Sequence, residues 1–398
     1  MASSTPENAP PPLPTHHRAI IYDKPGHNST AVVTVPTPRP STGELLVKIT
    51  HSGVCSSDHG LMLNTWSHLP PTPTGQIGGH EGIGHIVAFG PDTSHPNLRI
   101  GSRVGIKWIA SVCGSCIACF AGRDSMCAGQ KISGFYTPGT FQEYVVARAD
   151  YVTPIPEGVD SAMAAPLLCG GVTVYAGLKK SGAQAVGFVN PLGLLTVDWR
   201  GANPRQGEWI VVSGAGGGLG HLAVQIASKG MGLRVIGIDH GEKEALVRSL
   251  GAEAFFDVTK YSRDRAGSEA LAADVKAVTT QGMGAASVIV CAGANAAYAQ
   301  ALSFLGFGGS LVCLGFPEGG APVPIPDAFP GNIIARELRI LGSAVGNRKE
   351  AIEALEMAAR GVVKTHFVLE PPSKLTDVFE RMEKMELKGR AVIDLGKD

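Results

Sequence analysis

Four thiols crowd into one short stretch, Cys113-x2-Cys116-x2-Cys119-x7-Cys127, in a chain with only 8 cysteines. Four thiolates at about 2.3 Å from one ion make the closed tetrahedral set of a structural zinc. Two disulfides would strain so short a loop, and a reducing compartment would not keep them, so the spacing points to metal. A second set is dispersed: Cys55 in Gly53–Asp58, His80-Glu81 in Gly78–Gly82, and Cys169 in Pro166–Gly170. Two thiolates and one imidazole leave a fourth zinc position for water or a substrate oxygen, which is the donor set of a catalytic centre. Taken singly, each of these residues would pass for core or turn. Asp58 is placed to accept a hydrogen bond from behind the metal, and Glu81 to stand beside it.

The third signal is Ser213-Gly214-Ala215-Gly216-Gly217-Gly218-Leu219-Gly220, after an apolar strand and opening a helix, with Asp239 closing the next strand 19 residues beyond Gly220. In that setting Gly216, Gly217, Gly218, Leu219 and Gly220 let a pyrophosphate approach a helix N-terminus, and the acid binds the ribose diol. A carboxylate there repels a 2′-phosphate, so NAD is expected rather than NADP. Lys243, four residues further on, is a candidate to help hold the adenosine ribose.

These residues need a scaffold, and the chain supplies two kinds. From Arg18 to about Ala165, short β-type runs (Arg18–Tyr22, Glu44–Thr50, Gly84–Phe89, Arg103–Trp108, Phe141–Val146) are punctuated by Gly and Pro. From about Val172, strands Trp209–Ser213 and Arg234–Asp239 alternate with helices starting at Gly218 and Glu242. Two uncharged runs, Ala286–Cys291 and Ser310–Leu314, read as buried parallel strands rather than a membrane span, because Gly and polar residues interrupt the segment between them. The predicted class is α/β. A β-rich catalytic domain covers 18–171, with 340–398 returning to it; a doubly wound parallel sheet covers 172–339; residues 1–17 form a flexible tail. That tail lacks the basic cluster and apolar run of a secretory signal, so a cytoplasmic protein is expected. Lys+Arg and Asp+Glu both number 34, which leaves no net field toward nucleic acid or an anionic membrane, and neither is expected as a partner.

At these motifs the chain resembles the zinc-dependent medium-chain alcohol dehydrogenases, most closely their yeast and filamentous-fungal branch. The resemblance runs from about Arg18 to Asp394 and includes Gly105–Trp108, Gly134-Phe135-Tyr136, Pro166–Tyr175, Val345–Arg348 and Gly389-Arg390. It implies a GroES-like catalytic domain, a Rossmann domain, two zinc ions per subunit, NAD, and a homotetramer or homodimer acting on a small alcohol or aldehyde. It further implies that Ser57 contacts the substrate oxygen, that Ser56, Thr173 and Arg390 attend the cofactor, and that Trp66, Trp108 and Phe316 wall the substrate pocket. A role in fungal secondary metabolism would suit the divergence around Ser56 and His59. The alternative is a catalytically impaired or zinc-free reductase-like protein of the same fold.

Two departures stand out. The resemblance calls for a His five places after Cys55 to end a proton relay, and Gly60 stands there; the adjacent His59 is the candidate substitute. Removing the 21 residues Val186–Gln206 would restore an uninterrupted family sequence. Their codons allow a GTAGG-like donor at Val186-Gly187, a branch site at Leu195-Thr196 and a CAG acceptor at Gln206, so the segment reads as translated, unspliced intron, with a lineage-specific surface loop as the alternative.

Overall fold

The computed structural model describes residues 12–67, 69–182, 205–317 and 323–397. Most of the 186–206 segment therefore lies outside the described residues. The apolar runs that alternate with helices do form a parallel sheet of six strands, in the spatial order Ala252–Asp257, Arg234–Asp239, Trp209–Ser213, Ala285–Val290, Leu305–Cys313, Arg339–Gly342. Numbered along the chain this is the order 3-2-1-4-5-6, with the reversal beside Trp209–Ser213, where dinucleotides bind in such sheets. The last strand, Arg339–Gly342, pairs in parallel with Ser310–Cys313. A boundary drawn at residue 340 falls inside that strand, so the crossover out of this sheet comes after Gly342.

The Gly- and Pro-punctuated segments make the other body. Its main sheet runs Thr153–Pro154, Arg103–Ile106, Gly82–Phe89, Glu44–Val54, Arg390–Asp394, Phe367–Glu370, with Tyr144–Arg148 also pairing onto Glu44–Val54. The chain returns to place Arg390–Asp394 antiparallel beside Val54–His51. A three-stranded antiparallel sheet, with His16–Tyr22 at its centre, lies alongside.

One core runs through both bodies. Ile83, Ile155, Leu168 and Val392 of the β-rich part share a buried cluster with Val212, Ile289 and Val312 of the parallel sheet. Each such aliphatic contributes roughly 1.5–3 kcal/mol when fully buried, so the two halves are set against each other by packing as well as by the chain. Two helices, Ser161–Leu168 and Gly170–Ser181, meet at Cys169 with a 48° bend. They are apolar because they are core: Ala164, Leu167, Val172 and Val174 are at most 1% exposed. No single helix among the described residues is long and apolar enough to cross a membrane.

Candidate active site

Cys55 ends the Glu44–Val54 strand and caps the Ser56–Leu63 helix. His80 and Glu81 sit in the turn that enters Gly82–Phe89, and Cys169 occupies the bend between the two apolar helices. Three separate segments thereby bring one donor atom each from Cys55, His80, Glu81 and Cys169 within 4.8 Å of one another, all buried. Gly53 is needed for this closeness, since a Cβ there would lie 2.0 Å from Glu81 Oε2.

Asp58 organises the group from behind. Its Oδ2 accepts the Cys55 N–H at 3.0 Å, and its Oδ1 lies 2.8 Å from His80 Nδ1 and 3.2 Å from the Gly79 nitrogen. With Nδ1–H donated to the carboxylate, His80 presents Nε2 as its free lone pair. That Nε2 and Glu81 Oε2 are buried without a hydrogen-bond partner. Buried polar atoms are rarely left so, and two sulfurs, an imidazole nitrogen and a carboxylate oxygen are the donors zinc takes. Burial works against charge on His80, but the Asp58 charge and hydrogen bond outweigh it and raise its pKa. A hydrogen bond between the two thiols lowers Cys55 and raises Cys169, which favours one thiolate in the pair. Glu81 is ion-paired with Arg390, fully buried like itself. Burial lifts the Glu81 carboxyl to about 7 against the pull of that guanidinium.

The second thiol set also assembles. One Sγ each from Cys113, Cys116, Cys119 and Cys127 lies within 4.8 Å of the others, Cys127 buried and Cys113 exposed. All eight cysteines are free. Four sulfurs and no open position fit a structural ion.

A cavity of about 1490 Å³ joins the buried cluster to the glycine-rich turn, lined by Cys55, Ser57, Cys169, Thr173, Gly218 and Arg390 among others. Ser56 and Leu219 also line it. The turn begins at Gly214, with φ 76°, and a Cβ on Gly220 would come within 2.0 Å of the Gly214 oxygen, so the helix can pack on the strand only without a side chain there. At the far end, Asp239 Oδ2 accepts the Gly216 N–H at 2.8 Å while Oδ1 pairs with Lys243 Nζ at 3.2 Å. The three predicted aromatics meet at the cavity: Trp66 and Trp108 have centroids 5.6 Å apart, Trp66 and Phe316 5.2 Å, and the His80 ring meets Trp108 edge-on at 4.8 Å.

His59 is the exception. It is two residues past Ser57 on a helix, about 200° round the axis, and its ring stacks on Phe379 at 5.3 Å instead of facing the cavity. Burial lowers its pKa. The proposed one-residue shift of the relay base is therefore not what the helix geometry provides.

Two family models match the chain: the alcohol dehydrogenase GroES-like domain over residues 41–157 and the zinc-binding dehydrogenase over 218–360. Alcohol dehydrogenase 2 of Emericella nidulans is 54% identical over 389 residues, covering 97% of this chain and 100% of that one. The chain belongs to the zinc-dependent medium-chain alcohol dehydrogenases. Among solved structures, the alcohol dehydrogenase of Aeropyrum pernix is 28% identical with a TM-score of 0.77, over 95% of this chain and 99% of that one. The acetophenone reductase of Geotrichum candidum, in complex with NAD, is 25% identical with a TM-score of 0.76, over 96% and 98%. As a zinc- and NAD-dependent alcohol dehydrogenase, the enzyme interconverts alcohols with aldehydes or ketones. No comparison favours the impaired or zinc-free alternative.

Sequence reasoning missed the residues that line the outer cavity, among them Arg123, Lys180, Ser343 and Asn347. They come from three separate segments, and only Asn347 falls in a stretch that carries the resemblance; folding brings them together.

Proposed function

We propose that Cys55, His80 and Cys169 hold the catalytic zinc, with Glu81 beside it, and that Cys113, Cys116, Cys119 and Cys127 hold the structural one. When bound, the zinc would supply a Lewis acid toward the substrate oxygen and NAD a hydride acceptor or donor. Ser57, which lines the cavity next to Cys55, accepts the hydroxyl proton during alcohol oxidation and passes it toward solvent. Asp58 keeps His80 in the tautomer that offers Nε2. Thr173, Arg390 and the Gly216–Gly220 turn position the dinucleotide, and Asp239 with Lys243 holds its adenosine end. Trp66, Trp108 and Phe316 narrow the reacting end to a slim, primary carbinol.

The observation that carries this reading is the convergence of four buried donors from three segments on an unpartnered imidazole nitrogen. Elemental analysis of active protein should return about two zinc per subunit; active protein without zinc would sink the assignment.

The enzyme is further proposed to be a cytoplasmic homodimer or homotetramer. Its eight free cysteines suit a reducing compartment. The edge strand Arg339–Gly342 has one ladder side unpaired, and Phe307, Ile334 and Ile340 are exposed, so two copies have an apolar edge to share. Light scattering on purified protein reads the copy number. The 186–206 segment keeps its reading as unspliced intron; a mature transcript that retains those 63 nucleotides and yields active enzyme would overturn it.

A further inference from the structure

The cavity does not stop at the aromatic throat. Beyond Phe316 it continues to a rim formed by the loop between Cys119 and Cys127 on one side and the end of the Gly170–Ser181 helix on the other, where Arg123 and Lys180 both line it. Lys180 Nζ donates to Ser343 Oγ at 2.9 Å and makes no ion pair among the described residues. Arg123 is exposed and likewise makes none. Partial burial lowers the Lys180 pKa; the Glu350 charge opposes that shift, and the Arg123 guanidinium adds a smaller push in the lowering direction.

The nearby carboxylates are turned elsewhere. Glu350 accepts the Asn347 N–H in a capping box and faces Lys179 at 3.8 Å. Asp124 accepts the Tyr151 hydroxyl at 2.8 Å and lies 3.9 Å from Arg348. The loop that carries Arg123 is tied down, because Asn347 Nδ2 donates to the Gly122 oxygen at 2.8 Å. The rim thus carries Arg123 and Lys180 without ion pairs among the described residues, beside Asp124 and Glu350, whose hydrogen bonds and closest cations lie elsewhere, in a cavity also lined by Trp66, Trp108 and Phe316.

We propose that Arg123 and Lys180 form a subsite for a carboxylate at the far end of the substrate, so that the preferred substrates are alcohols or aldehydes with an acid group remote from the carbinol. This rests on the dehydrogenase reading of the same cavity. Lys180 lies eleven residues along the helix from Cys169, roughly 16 Å, and helical side chains lean back toward the N-terminus, so the two ends of the substrate sit on the order of 10 Å apart. A rim carboxylate would ion-pair with both cations, neither of which has an ion-pair partner among the described residues, and little of that gain reaches a substrate that lacks the charge.

The test uses zinc-loaded full-length enzyme with NAD and a series of ω-hydroxycarboxylates with roughly three to nine methylenes, each beside its methyl ester, with ethanol as reference. The expected result is a kcat/KM for the acid at least about tenfold above that for its ester at one favoured length, weakened by salt. That ratio should collapse toward one in Arg123→Gln/Lys180→Gln and survive in Lys180→Arg. An acid-to-ester ratio near one at every length in the unaltered enzyme overturns the subsite while ethanol turnover leaves the dehydrogenase reading standing. A double variant that changes KM for NAD but not the ratio also overturns it, by assigning the cations to the cofactor. Loss of turnover with every alcohol, ethanol included, despite bound zinc is the separate failure of the dehydrogenase reading.

Discussion

The two thiol clusters are built from similar donors in opposite ways. Cys113, Cys116, Cys119 and Cys127 come from a single surface loop, and their outer contacts are local: Cys113 takes the Ser115 hydroxyl at 3.8 Å and its own nitrogen donates to Cys127 Sγ. Cys55, His80, Glu81 and Cys169 come from three distant segments into the core, and the imidazole and the carboxylate have long-range partners: Asp58 behind His80, Arg390 against Glu81, Trp108 across the imidazole ring. A loop that closes on an ion with its own four sulfurs has nothing left to react with. A buried site whose donors are held by other residues can keep one position open and still be rigid. The difference lies in who supplies the supporting shell.

The largest expected effect breaks the buried cluster. His80→Ala or Cys55→Ser should bring alcohol oxidation below detection while NADH binding, followed by its fluorescence, stays close to that of the unaltered enzyme, because Gly218 and Asp239 are untouched. Cys116→Ser in the exposed cluster should do the reverse: activity survives at low temperature, and Tm falls by roughly 5 °C or more on thermal denaturation. If both variants lost activity and stability equally, the contrast between the sites would be wrong.

Asp58→Asn should cost about 10–100-fold in zinc affinity at the buried site, the range for a residue that orients a metal-bound imidazole, with the other zinc retained on dialysis. Asp239→Gly touches neither cluster; it should move the NAD-to-NADP preference by about tenfold, close to 1.4 kcal/mol. The smallest effect belongs to His59. His59→Ala should leave the pH profile of turnover unchanged and lower Tm through the lost Phe379 contact. Gly60→His should raise turnover near neutral pH, at most toward the lower end of the roughly 10²–10⁴-fold range of general acid–base catalysis.

What the sequence made legible follows the same division. The four-Cys loop is readable because its spacing alone encodes the site. The parallel strands at Trp209–Ser213 and Arg234–Asp239 were readable as short β-type runs alternating with helices, and the structure places both at those residues. The dispersed cluster became readable only through motifs that the family shares. His59 was a candidate by adjacency alone, which says nothing about the 100° step per residue of a helix, and that step sends Ser57 to the cavity and His59 to Phe379. The rim at Arg123 and Lys180 was invisible because no local pattern couples two residues whose segments meet only in the folded molecule.

The strand Arg390–Asp394 lies between Glu44–Val54 and Phe367–Glu370 and carries the arginine that neutralises Glu81. On the ribosome, then, the catalytic body must wait: its central sheet and the counter-charge of its buried acid are incomplete until Asp394 has emerged. The parallel sheet meanwhile has all its strands by Gly342 and is free to form first, as nascent domains do when their own segments are complete. The nascent enzyme thus acquires its nucleotide-binding half before its reactive one, and the cleft shuts around its donors only once Arg390–Asp394 is in place.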